Sequence, residues 1–153
     1  MGQSRPDSDP SIRLATAGDL QRILEIEGLS FEKPWDCHEF KAALNDVFLV
    51  FEEREVLGFL CACCSAVGNT AVILKIAVHP DYRGKGIATR LISAVLARLR
   101  TLRVAEVGLD VDVVKRGAIH LYERFGFQIW KAVTANHEED EGFYEMKLKL
   151  DSE

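Results

Sequence analysis

The chain has no apolar run of the ~18 residues that a membrane-spanning helix needs. Its longest, Val56 to Val67, contains Gly58 and suits a strand. Positive charge is not in excess either: 19 Lys and Arg stand against 24 Asp and Glu, for a net charge of -5. General nucleic-acid binders are usually basic, so no nucleic-acid partner is expected. The N-terminus is polar, with Pro6 and Pro10, so neither a secretory leader nor a membrane partner is expected. The opening Met-Gly carries Pro6 where a myristoylation start needs Ser or Thr. Four cysteines are present, Cys37, Cys61, Cys63 and Cys64. No second Cys or His group stands at ligand spacing, so no metal is expected. The thiols suit small core side chains in a reduced, cytoplasmic protein.

With 48% hydrophobic and 28% charged residues, the 153-residue chain suits one globular domain, not a disordered or fibrous one. Residues 1–10 are expected to be a loose tail and 11–150 the domain. Ile12 to Ala15 is a short strand candidate. Thr16 and Asp19 have capping-box spacing before Leu20, Ile23, Leu24 and Ile26, which predict a helix ending near Gly28. Pro34 breaks the chain, and Asp36 and Glu39 cap a second helix through Phe40 and Leu44. Val47–Phe51 and Val56–Ser65 flank a charged turn and predict a hairpin, and Ala71–Val78 is a further strand. Apolar residues at 87, 91, 95 and 99 predict a helix of about four turns. Val104–Val111 is a strand, and Ala118–Phe125 a helix closed by Gly126. Phe127–Val133 and Phe143–Leu150 are strands either side of an acidic loop at 138–141. The order predicts an α/β fold, a mixed sheet with helices on both faces.

The informative segment is Ile76-Ala-Val-His-Pro-Asp-Tyr-Arg-Gly-Lys-Gly-Ile-Ala-Thr89, in which a strand runs through a glycine loop into a helix. A helix N-terminus offers free N–H groups and partial positive charge, a ready anion site. Gly84 and Gly86 let backbone approach an anion, and Arg83, Lys85 and Arg90 add charge beside it. The local expectation is a phosphate or pyrophosphate cradle. It is not a Walker loop, because Lys85 precedes Gly86. Nor is it a dinucleotide fingerprint, whose third glycine would fall at Thr89.

Strand, Val-x-Pro-x-Tyr-Arg-x-x-Gly-x-Ala, helix resembles the acetyl-CoA signature of the GNAT superfamily of N-acetyltransferases. Arg83, Gly86 and Ala88 fall on its Gln/Arg-x-x-Gly-x-Gly/Ala core. Ala118 to Phe127 resembles the family's Tyr-containing helix and Gly-Phe turn. Phe31-Glu-Lys-Pro-Trp35 resembles a segment of the RimI-type, protein N-terminal branch. The resemblance spans residues 11 to 150. It implies a single-domain GNAT fold, a mixed seven-stranded sheet whose central parallel strands splay apart, with about four helices on both faces. Acetyl-CoA would lie in that V as co-substrate, without a metal. Ile76, Ala77 and Val78 would pair with its pantetheine arm. Arg83, Gly84, Lys85, Gly86, Ile87, Ala88 and Thr89 would hold its pyrophosphate. The implied acceptor is an amine, with a protein N-terminal α-amine favoured and a small-molecule amine or amino acid as the alternative. An acyl-CoA-binding module without catalysis is a further possibility.

Acetyl transfer from a thioester needs a neutral amine, a base for its proton and an acid for the departing thiolate. Tyr122 is the phenol at the family's acid position. Asp110 is the first choice of base, where RimI-type chains carry Glu. Asp112 lies two residues on, so it shares a strand face with Asp110. A bridging water and His120 are the alternatives. Lys115 stands where the family commonly has Asn. The acidic run 138–141 replaces tyrosines common in that branch.

Overall fold

The computed structural model describes residues 9–65, 67–134 and 142–150. Seven strands form one sheet: β1 (Ile12–Leu14), β2 (Val47–Glu53), β3 (Glu55–Ser65), β4 (Thr70–Val78), β5 (Glu106–Asp112), β6 (Gln128–Thr134) and β7 (Gly142–Lys149). Four helices cover it: α1 (Leu20–Ser30), α2 (Cys37–Ala43), α3 (Ile87–Thr101) and α4 (Arg116–Arg124). The strand order is β1-β2-β3-β4-β5-β7-β6, and β4 with β5 is the parallel pair.

The sheet is covered on both faces because its strands are apolar on both. Along β2, Val47, Leu49 and Phe51 pack with the α3 and α4 side, while Phe48 and Val50 pack with α1 and α2. In α3 the four-residue stripe Ile87, Leu91, Val95 and Leu99 is buried, with Ile92 and Leu96 beside it. Each such side chain contributes roughly 1.5–3 kcal/mol on burial. On the other face Ile23, Ile26, Phe40 and Phe59 are fully buried.

Local chemistry sets the helix ends. Asp19 accepts the Thr16 N–H (2.8 Å) and both guanidinium nitrogens of Arg13, fixing the turn before α1. α1 continues past Gly28 to Ser30, because a helical glycine is tolerated there and the Phe31 N–H caps the Glu27 carbonyl. Asp36 and Glu39 close α2 with the reciprocal bonds of a capping box. α4 starts at Arg116, earlier than its apolar residues imply, since Lys115 serves as N-cap. Asp9, within the expected tail, accepts two 2.7 Å bonds from the Arg90 guanidinium. The rest of the expected tail, residues 1–8, and the acidic loop at 138–141 lie outside the described residues.

The position of the site follows from one irregularity. β4 and β5 pair from Thr70↔Glu106 to Ile73↔Leu109 and no further. Beyond that point β4 stays with β3 (Lys75↔Cys61, Val78↔Gly58), and β5 stays with β7 (Asp110↔Glu145, Asp112↔Phe143). The β3–β4 register slips between Cys61 and Ala62, whose partners are Lys75 and Ile73, so Leu74 is the extra residue of a bulge. A bulge bends its strand, and the pairing of β4 with β5 ends at Ile73, directly before this one. The sheet opens into the expected V.

Candidate functional site: a cleft between splayed strands

The end of β4 runs through a turn at Pro80–Tyr82 into the glycine loop and α3. Gly84 and Gly86 take φ of +75° and +82°, a region L side chains rarely adopt. A Cβ built at either would meet nothing within 4 Å, so both glycines face open space. The first backbone bond of the helix runs from the Arg90 N–H to the Gly86 carbonyl. The N–H groups from Gly84 to Thr89 therefore have no turn partner among the described residues. They lie at the start of α3, which suits a pyrophosphate.

A cleft of about 790 Å³ opens beside this loop. Its walls include Ile76, Ala77 and Val78 from β4, Arg83, Gly84, Gly86, Ile87, Ala88 and Thr89 from the loop and α3, and Tyr122 from α4. Lys85 does not line it: its ammonium lies 5.3 Å from the Tyr82 ring centroid. Arg90 does not line it either, because Asp9 holds its guanidinium, which lies 4.6 Å from the Phe51 ring centroid. Arg83 spends its side chain as a strut, donating to the Val78 carbonyl (2.9 Å) and to Ser30 Oγ (3.2 Å).

A second, smaller cleft of about 290 Å³ continues from the first between the arms of the V. Phe31, Ile76, Lys115, Ala118 and Tyr122 line both. Asp110 and Asp112 line the second, so the fold brings the sequence's acid and base candidates to one opening. Tyr122 is 7% exposed, with its ring edge-on to Phe127. Burial pushes its phenol up to about 12. Burial also raises the Asp110 carboxyl, and the like charge of Glu145 raises it further. His120 lines neither cleft; it is exposed, with Glu123 at 3.6 Å.

The model of the acetyltransferase (GNAT) family matches residues 20–127, from α1 through the turn after α4. The chain belongs to the GNAT family.

Among relatives, this GNAT chain is 32% identical over 138 residues to the uncharacterized N-acetyltransferase MJ1207 of Methanocaldococcus jannaschii. That match covers 77% of the chain and 60% of the relative, so the chain spans less than two thirds of it. It is 30% identical over 114 residues to the [ribosomal protein bS18]-alanine N-acetyltransferase of Haemophilus influenzae, covering 72% of the chain and 76% of the relative. Its fold superposes on the crystal structure of the Escherichia coli ribosomal-protein-S18-alanine N-acetyltransferase with a TM-score of 0.80. That likeness covers 90% and 92% of the two chains at 24% identity. The residues of the cradle suit the acetyl-CoA that GNAT acetyltransferases use.

Two residues escaped the sequence-based expectations, Lys75, which lines the second cleft, and its partner Glu27. Glu27 is completely buried on the apolar face of α1. Its Oε2 accepts from Lys75 Nζ (2.7 Å) and from the Trp35 N–H (2.8 Å). Each left a faint signal. Glu27 continues the spacing of Leu20 and Ile23, and Lys75 interrupts the apolar run of β4.

Proposed function

We propose that the protein transfers the acetyl group of acetyl-CoA to the α-amine of a protein N-terminus, with Tyr122 as acid and Asp110 as base. The observation that carries this reading is the continuity of the two clefts. One holds the anion cradle, the other the Asp110 carboxylate, and Tyr122 lies at their junction. The named activity of the bS18-alanine N-acetyltransferase relative supports an N-terminal acceptor.

Acetyl-CoA supplies an activated thioester. The backbone N–H groups of Gly84 to Thr89 would hold its pyrophosphate, with Ile76 to Val78 along its pantetheine arm. An α-amine has a pKa near 7.7–8.0, so a useful fraction is neutral at working pH, unlike a lysine near 10.4. Asp110, whose carboxyl is raised from its ordinary value by burial and by the like charge of Glu145, accepts the proton that the amine gives up. Tyr122 stays protonated at every working pH, so it serves only as a donor. The dry surroundings that raise its phenol also raise the proton affinity of a thiolate departing there.

The test is incubation with acetyl-CoA and peptides beginning with Ala, Ser or Met, alongside small amines and free amino acids. Mass spectrometry then locates the acetyl group. Acetylation on the peptide α-nitrogen supports the proposal. Acetylation of small amines alone overturns the acceptor assignment.

A further inference from the structure

We propose that Glu27 and Lys75 are a positioning pair that holds the Phe31–Trp35 segment over the acceptor side of the cleft. A single carboxylate oxygen joins three parts of the fold. Glu27 belongs to α1, the Trp35 N–H to the link before α2, and Lys75 to β4, one residue past the Leu74 bulge. The Lys75 ammonium also lies 3.9 Å from the Phe31 ring centroid and 5.3 Å from that of Trp35. Such contacts favour a cation over an aromatic face. Lys115, from the turn between β5 and α4, lies 4.9 Å from the same Phe31 ring. Phe31 therefore bridges the two arms of the V and lines both clefts.

Stability does not account for the pair. Replacing a buried ion pair by apolar residues of similar volume is often neutral or stabilising. Here Glu27 Oε1 is buried with no hydrogen-bond partner among the described residues, which adds to the desolvation cost. What the pair does supply is geometry: the N–H of Trp35 and the ring of Phe31 are held by one fixed point. The cofactor loop is tied separately, through Arg83 to Val78 and Ser30. Loss of the pair should therefore loosen the acceptor side and leave the cradle intact. The inference rests on the proposed acetyl transfer for what the segment faces.

The test is the double variant Glu27→Met/Lys75→Met in the full chain, which leaves no buried charge unpaired. The expected result is an unlowered melting temperature and an acetyl-CoA Kd within about twofold of the parent. The KM for an Ala-initiated peptide should rise about tenfold or more, as misplacement of a substrate-positioning group does. A second readout needs no acceptor. With Trp130→Phe in both proteins, Trp35 is the remaining tryptophan, and the double variant should raise its acrylamide quenching constant roughly twofold through lost ordering. Should the double variant fail to fold, Glu27→Gln keeps the acceptor oxygen but removes the charge, and its Trp35 quenching should rise in the same direction. Unchanged quenching overturns the proposal. So does an acetyl-CoA Kd that rises in step with the peptide KM, which would mark general structural damage. If the parent acetylates no amine, the transfer reading fails, while the quenching still decides whether the pair holds the segment.

Discussion

Asp110 on β5 stands directly across the ladder from Glu145 on β7, at the end of the sheet where β5 has parted from β4. Two carboxylates are thus cross-strand neighbours beside the smaller cleft, which Asp110 lines. Burial first, and then Glu145, hold the Asp110 carboxyl above its ordinary value. The folded state therefore binds the Asp110 proton more tightly than the unfolded chain. Ionised Asp110 costs stability above its folded pKa, and that cost fades as pH falls through the folded value.

Asp110→Asn is accordingly expected to melt no lower than the parent at neutral pH, while turnover falls about 10²–10⁴-fold with loss of the base. Glu145→Gln should move the acid limb of the pH–rate profile to lower pH, because it removes the like charge. Thermal melts and pH–rate profiles check both. A lower melting temperature for Asp110→Asn would mean that the carboxylate is structural.

Tyr122→Phe keeps the ring that packs edge-on to Phe127 and removes only the hydroxyl. Acetyl-CoA binding should stay within about twofold by calorimetry, whereas kcat should drop about 10²-fold or more. Equal turnover would remove Tyr122 from the acid role.

Gly86→Ala tests the cradle. No atom obstructs the new Cβ, so the effect in the free protein is the strain of a side chain at φ +82°, about 1–2 kcal/mol. The same Cβ would enter the space where a pyrophosphate must approach the N–H groups. Acetyl-CoA affinity should fall by more than the melting temperature implies. Gly28→Ala is the control: its Cβ also meets nothing within 4 Å, and its place inside α1 should make the change stabilising by about 0.5–1 kcal/mol.

Arg90→Ala separates charge near the loop from charge in the site. Arg90 is partly exposed and held by Asp9, so the pair contributes roughly 0–1 kcal/mol after solvent screening. The acetyl-CoA Kd should stay within about twofold, since the guanidinium does not line the cleft. A large loss of affinity would return Arg90 to the phosphate site.

The sequence made some of this legible and hid the rest for physical reasons. The α3 stripe follows from a local helical period, and the strands from short apolar runs bounded by turn residues, both of which a short window of the chain displays. The glycine loop was legible because its chemistry lies within one short segment. The angle of the V was not, since the Leu74 bulge is a slip between two strands and leaves no local signature. Arg90 counts as a phosphate charge by proximity to the loop, yet its partner Asp9 lies 81 residues away. Glu27 and Lys75 each break an apolar pattern, but only the fold reveals that residues 48 apart answer each other.

Every role proposed for the cleft depends on acetyl transfer to a free α-amine there. The most direct measurement is thiol release from acetyl-CoA with one Ala-initiated peptide, supplied with its N-terminus free and with it blocked. Release is expected with the free peptide, abolished by blocking and lowered about 10²-fold by Tyr122→Phe. Release that is indifferent to the blocked N-terminus, or absent with both peptides while a small amine sustains it, would overturn transfer to a protein N-terminus.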